Sequence, residues 1–88
     1  MTKYEYTGEM QKLCFKISQA CKVLDDKGLQ EFYLAASEGY VKIRESYTVE
    51  EAQGLVDNKQ LDMLESTTAY VKEVQKKAGY KLDLEVTA

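Results

Sequence analysis

The clearest helical signal in the chain is MQKLCFKISQACKVL, residues 10–24. Its apolar side chains recur every three or four residues, which places them along one stripe of a helix. They are Met10, Leu13, Cys14, Ile17, Ala20, Cys21 and Leu24. We expect Thr7 to cap the start of this helix and Lys27-Gly28 to end it. Residues 25–28 then leave room only for a tight turn, so the next helix should run antiparallel to the first.

A second apolar run has the same period and predicts a helix over residues 29–47. Its members are Leu29, Phe32, Tyr33, Ala36, Tyr40, Ile43 and Tyr47. Directly after it, Thr48-Val49-Glu50-Glu51 matches a capping box, in which the Thr and Glu side chains satisfy the first free N–H groups of a helix. A new helix should therefore begin near Val49.

The segment that follows has two interpretations. A single helix over residues 49–78 would be about 45 Å long. A second capping-box pattern at residues 57–60 instead indicates a break, which gives a short third helix and a fourth of about twenty residues. We prefer the break, because Gly54 and Asn58 are both weak helix formers.

Apolar residues alternate with charged ones at both ends of the chain, which is typical of a half-buried strand. They are Tyr4 and Tyr6 near the N-terminus, and Tyr80, Leu82, Leu84 and Val86 near the C-terminus. An antiparallel pairing with Tyr4 opposite Leu82 would also match opposite charges, and frayed termini are the alternative. The sequence thus predicts one all-α domain over residues 1–88, a small antiparallel three- or four-helix bundle with strand-like N- and C-terminal arms.

The composition argues against an enzyme. The chain has no His, the side chain most often used for acid–base catalysis near neutral pH and for metal binding. Cys14 and Cys21 lie seven residues apart on one helix, so their Cα atoms would be about 10.5 Å apart, too far for a disulfide. The segments starting at Asp25 and Asp57 lack the spacing of a calcium loop, and the glycines form no phosphate loop. We therefore expect no catalytic residue, no metal site and no cofactor.

The charge and hydropathy of the chain restrict its surroundings. A net charge of −3 gives no general reason to bind nucleic acid. No segment approaches the ~20 apolar residues of a membrane span, and the first ten residues lack the apolar stretch of a signal peptide. Together with the unpaired cysteines, these features predict a cytoplasmic protein that contacts neither nucleic acid nor a membrane.

Tyrosine is unusually frequent, with seven in 88 residues. Three of them form a stripe on the second helix, and tyrosine is enriched where protein surfaces meet. The alternative is that this stripe borders the core. Acidic residues are concentrated between residues 45 and 65. The leading hypothesis is a small acidic inhibitor, immunity factor or regulator that binds a larger protein, through Tyr33, Tyr40, Tyr47, Glu45, Glu50 and Glu51.

Self-association is a separate expectation. Ala35, Ala36 and Gly39 form a patch of small residues that suits close packing of helices, so we expect a homo-oligomer. The alternative function follows from it, because an oligomer could hold small anionic ligands such as nucleotides between its protomers. Rings for stacking and cations for phosphates would then come from Tyr4, Tyr6, Lys3, Lys12 and Lys16.

Overall fold

The chain folds into four packed helices in the computed structural model, which describes residues 1–87. The helices are α1 (Lys3–Val23), α2 (Lys27–Ser46), α3 (Val49–Gln53) and α4 (Asn58–Thr87). No strand forms within the described residues, although Thr2 and Leu55 make one isolated antiparallel bridge. The predicted all-α bundle is confirmed, whereas the strand-like arms are helical.

The first helix begins earlier than the sequence suggested. The Thr2 hydroxyl accepts a hydrogen bond from the Glu5 N–H, and the Glu5 carboxylate accepts one from the Thr2 N–H, both at 3.1 Å. This capping box satisfies the free N–H groups at residue 2, so the helical conformation includes Tyr4 and Tyr6. Thr7, the expected cap, is buried one turn inside α1 and donates to the Lys3 carbonyl.

The turn between α1 and α2 is built by aspartates and not by Gly28. Asp25 has a left-handed backbone with φ of 58°. The N–H groups of Asp25 and Asp26 bond back to the Lys22 and Cys21 carbonyls at 3.2 and 2.9 Å, a pattern typical of a helix C-terminus. The Asp26 carboxylate then accepts from the Leu29 N–H and starts α2. Gly28 therefore lies inside α2, and the two helices run antiparallel as predicted.

The predicted break after α3 is confirmed. Thr48 and Glu51 form the capping box of α3. Asp57 and Gln60 cap the next helix reciprocally, with N–H to side-chain oxygen distances of 2.8 and 3.0 Å. The helix α4 that follows has 30 residues, longer than expected, and is therefore about 45 Å long.

The C-terminal residues continue α4 because their charges suit a helix. Lys81 donates to the Val23 carbonyl and pairs with Asp25, which fastens α4 to the end of α1. Glu85 lies one turn further along, 3.9 Å from the Lys81 ammonium. A pair at this spacing supports a helix and would be absent from a strand.

Helix α1 lies at the centre of the molecule and contacts the other three helices. It runs parallel to α4, since the Thr2–Leu55 bridge joins their beginnings and Lys81 joins their ends. The core lies between these two helices and consists of Ile17, Ala20, Cys21, Val71, Val74 and Ala78. The molecule is elongated, with extents of 54 × 21 × 17 Å. None of the helices in residues 1–87 combines the length and the apolar character needed to cross a bilayer.

The capping box at the N-terminus is testable by substitution. Thr2→Ala removes the hydroxyl that accepts from Glu5, so we expect the free energy of unfolding to fall by about 1 kcal/mol. Thr2→Ser keeps the hydroxyl and should match the parent chain. Urea denaturation followed by circular dichroism measures both. Equal stability of the Ala and Ser variants would mean that α1 does not start at this cap.

Candidate binding surfaces

The tyrosine stripe of α2 faces inward. The Tyr33 ring stacks on Tyr70 of α4 with centroids 5.9 Å apart. The Tyr47 hydroxyl lies 3.1 Å from the Thr7 hydroxyl, and it is the donor because Thr7 already donates to a carbonyl. Tyr33, Tyr40 and Tyr47 are all half-buried. The stripe therefore holds α2 against its neighbours, and only the exposed edges of the rings are open to a partner.

Apolar surface is exposed instead at α3. This five-residue helix has no buried residue, and Val49 is 76% exposed. Beside it is a groove of about 300 Å³, which we term the α3 patch. The groove is lined by Thr2, Tyr4, Val49, Ala52 and Gln53. The sequence predicted only that a helix starts near Val49, and a helix of five residues is too short to have a covered face.

The three predicted acidic residues lie near the α3 patch. Glu50 follows Val49 and is exposed, and Glu45 lines a neighbouring groove together with Tyr4. Glu51 belongs to the capping box, and hydrogen bonds from the Thr48 side chain and backbone lower the pKa of its carboxyl. The acids that the sequence singled out are thus brought together at one end of the molecule.

Arg44 fixes the position of the Tyr4 ring. Its guanidinium carbon lies 4.0 Å from the ring centroid, a cation–π contact. The same group lies over Gly8, where a Cβ would be 3.4 Å from the guanidinium carbon. The Arg44 Nε is buried without a hydrogen-bond partner. A Cβ at Gly8 would make an ordinary van der Waals contact with the guanidinium, so the contact does not need a glycine there, and no sequence pattern indicated it.

A cleft of about 520 Å³ opens where the first halves of α1 and α4 diverge beside α2. It is lined by Lys3, Tyr6, Tyr40, Leu55, Asp57, Lys59, Gln60 and Met63. Burial, the neighbouring Tyr40 phenol and a hydrogen bond with it raise the pKa of Tyr6. Burial also raises the pKa of Tyr40, and its bond with Tyr6 opposes that shift. The cleft therefore has neutral phenols at its base and two lysines among its lining residues.

Only two of the five residues predicted to hold an anion meet in this cleft, Lys3 and Tyr6. Tyr4 lies elsewhere, because two residues along a helix differ by about 200° in direction, whereas in a strand Tyr4 and Tyr6 would share a face. Lys12 is exposed, 3.9 Å from Glu9. Lys16 lines a separate groove between α1 and α4. The structure adds Lys59 and Tyr40 to the cleft in place of these residues.

The two cysteines are unpaired and buried. Burial raises the pKa of both thiols, and the Asp26 charge adds to the effect at Cys21. Within residues 1–87 no three His, Cys, Asp or Glu side chains gather as a metal site would need. Comparisons with protein-family models, curated proteins and solved structures gave no match to this chain. Its function is therefore inferred from its own surfaces.

The buried phenols predict a loss of stability at alkaline pH. Tyr6 and Tyr40 release their protons above the ordinary pKa of 10.0 when folded, so the unfolded chain loses protons first as the pH rises. The free energy of unfolding should be constant near neutral pH and fall above about pH 9, where the raised thiol pKa values begin to contribute. Tyr6→Phe should reduce this fall, at a cost of about 1 kcal/mol at pH 7 for the lost hydrogen bond.

The control is Tyr80→Phe, because Tyr80 is 62% exposed. Urea denaturation at neutral and alkaline pH gives the free energies. An alkaline fall that is identical in the Tyr6 and Tyr80 variants would show that the cleft phenols are not responsible.

Proposed function

We propose that this protein is a non-enzymatic interaction protein, an inhibitor, immunity factor or regulator that occupies a basic surface of a larger protein. The α3 patch carries the proposal, since it presents exposed apolar side chains with three acidic residues on or near α3. Interfaces of this kind gain affinity from desolvated apolar and aromatic groups at the centre, while charges at the border steer the encounter.

The α3 patch is held rigidly although α3 itself is short. The Lys3 N–H donates to the Gly54 carbonyl at 2.7 Å, and the Val56 N–H donates to the Met1 carbonyl at 3.1 Å. A capping box fixes the start of α3, and Arg44 fixes the Tyr4 ring. A surface that is already ordered loses less conformational entropy when a partner binds.

The charge near the patch favours a cationic partner. Glu45, Glu50 and Glu51 are all exposed within one short stretch of chain. Between residues 45 and 65 the only cationic side chain is Lys59. Opposite charge on the partner would raise the association rate and make it sensitive to salt.

The cleft supports a second candidate function, the binding of a small anionic ligand such as a nucleotide. Lys3 and Lys59 would neutralise an anionic group, and the edges of Tyr40 and Met63 would contact a flat apolar body. The site lies within one chain, so this candidate does not depend on a second protomer. Asp57 and Gln60 bond to each other at the cap of α4, and the Asp57 carboxylate keeps a negative charge in the cleft that the two lysines must outweigh.

The first candidate is tested with the partner captured from lysate of the source cells and then purified. Val49→Ser should weaken its binding by at least about tenfold, because it removes the most exposed apolar side chain of the patch. Glu50→Gln should lower the association rate and reduce its dependence on salt. Calorimetry and stopped-flow mixing measure these quantities.

Two variants on α4 serve as controls for that experiment. Val86→Ser changes an exposed valine far from the patch, and Glu65→Gln removes an acid from α4. Both should bind the partner like the parent chain. Capture of no protein, or a partner whose affinity is unaffected by Val49→Ser and Glu50→Gln, would contradict the assignment of the α3 patch.

The second candidate is tested by thermal melting with inorganic phosphate and with mono-, di- and cyclic nucleotides. A ligand at 100 times its Kd adds about 2.7 kcal/mol of stability, which raises Tm by roughly 10 °C or more in a domain of this size. Lys59→Gln should abolish the shift, while the exposed control Lys72→Gln should keep it. No shift with any of these probes removes this candidate.

A further inference from the structure

One side of α2 is covered by no other helix. We term it the α2 face and define it by Leu29, Phe32, Ala36, Gly39 and Ile43. Phe32 is 64% exposed and Ile43 is 46% exposed. Between them lies a shallow groove of about 290 Å³ beside Tyr40. The face is an apolar stripe along most of the helix, separate from the α3 patch and adjacent to the cleft, because Tyr40 lines both the groove and the cleft.

No contact within the described residues explains why position 39 is a glycine. A glycine inside a helix costs about 1 kcal/mol relative to alanine. No glycine of the described residues has positive φ, and a Cβ at Gly39 would meet nothing within 4 Å. Gly79 on α4 is equally open, so the small residue at position 39 leaves room for a backbone from outside the molecule but does not by itself require one.

The spacing along the α2 face has two-fold symmetry. Phe32 precedes Ala36 by four residues, and Ile43 follows Gly39 by four residues. A two-fold axis between positions 37 and 38 would place Phe32 opposite Ile43 of an antiparallel second copy. Ala36 would then lie opposite the partner's Gly39. Small residues would meet at the centre, with a large side chain on either side, as an isologous contact requires.

Two of the charges that border the face match the same arrangement, whereas the exposed Glu38 would lie within one residue of the partner's Glu38. Glu31 and Lys42 are exposed along one edge of the stripe. The symmetry that pairs positions 32 and 43 places the partner's Lys42 opposite position 33. Glu31 is then two residues away, which is about 3 Å along the helix axis. Two equivalent ion pairs would form, one on each side of the two-fold axis.

The chain as a whole exposes more surface than a compact monomer of its mass would. The accessible surface is 6252 Å². A compact monomer of 10.0 kDa would expose about 5,200 Å², so about 1,000 Å² is in excess. A standard interface buries about 800 Å² of each partner. The excess is shared between the α2 face and the projecting end of α4, so the test must distinguish the two.

We infer that the α2 face is a homodimer interface, in which a second copy of this chain lies antiparallel across Phe32, Ala36, Gly39 and Ile43. The dimer leaves the α3 patch exposed and lies next to the cleft at Tyr40. The dimer interface is therefore independent of the function proposed for the α3 patch.

Sedimentation equilibrium at micromolar concentration tests the inference. The parent chain should have twice its monomer mass, and Phe32→Ser or Ile43→Ser should raise the dimer dissociation constant by at least about tenfold. Leu82→Ser and Val86→Ser, at the end of α4, are the matched controls and should leave the dimer intact. A monomeric parent chain overturns the inference. A dimer lost in the α4 variants and kept in the α2 variants also overturns it.

A charge exchange tests the antiparallel register. Lys42→Glu alone should weaken the dimer, because it places like charges together in both symmetry-related pairs. The double variant Glu31→Lys/Lys42→Glu restores opposite charges and should recover the affinity of the parent chain. Failure to recover would exclude this register, and circular dichroism confirms that the variants are folded.

Discussion

Burial of α1 on two sides holds this molecule together. Most of the buried residues belong to α1, whereas α2 contributes only Ser37 and α3 none. Helices α2 and α4 each pack on α1. The ring of Tyr33 on α2 stacks on the ring of Tyr70 on α4. Each outer helix is therefore covered on one side only. The cleft and the α2 face both exist because a chain of this length has one central helix and too few elements to enclose all the others.

The two sides of α1 are stabilised by different interactions. Its contact with α4 is apolar, centred on Ile17 and Val74. Its contact with α2 includes side-chain hydrogen bonds, such as Ser37 to the Gln11 carbonyl at 3.2 Å and Ser18 to the Gln30 carbonyl at 3.0 Å. Such bonds need a specific register, and removing one partner leaves a buried polar group unsatisfied. The apolar contact supplies burial, and the polar one fixes where α2 and its exposed face lie.

The local features of the fold could be predicted from the sequence, and the long-range ones could not. Helical periods identified α1 and α2, and the capping patterns at Thr48 and Asp57 located the break between α3 and α4. The same pattern at Thr2-x-x-Glu5 would have placed the start of α1, and it outweighs the alternation of Tyr4 and Tyr6, which is only three or four residues long. Short alternating segments cannot distinguish a strand from one turn of an amphipathic helix.

The candidate sites depend on contacts between distant parts of the chain. Lys3 and Lys59 line one cleft only because α4 runs parallel to α1, which no local pattern specifies. The spacing of Tyr33, Tyr40 and Tyr47 suits a core edge as well as a binding surface, and burial decides between them. The acids near α3 lie close together because they are near neighbours in sequence, and their role in binding stays a prediction.

The two proposed surfaces have a geometric relation that bears on affinity. The α3 patch follows the C-terminal end of α2, so an antiparallel pairing of two α2 helices places the two patches at opposite ends of the dimer. Helix α2 has 20 residues and is about 30 Å long, which sets the scale of their separation. A symmetric partner with basic sites at that distance would be bound at both ends, and the second contact would form at high effective concentration. A modest patch on a small protein could then give tight binding without a larger interface, because the dimer supplies the second point of attachment.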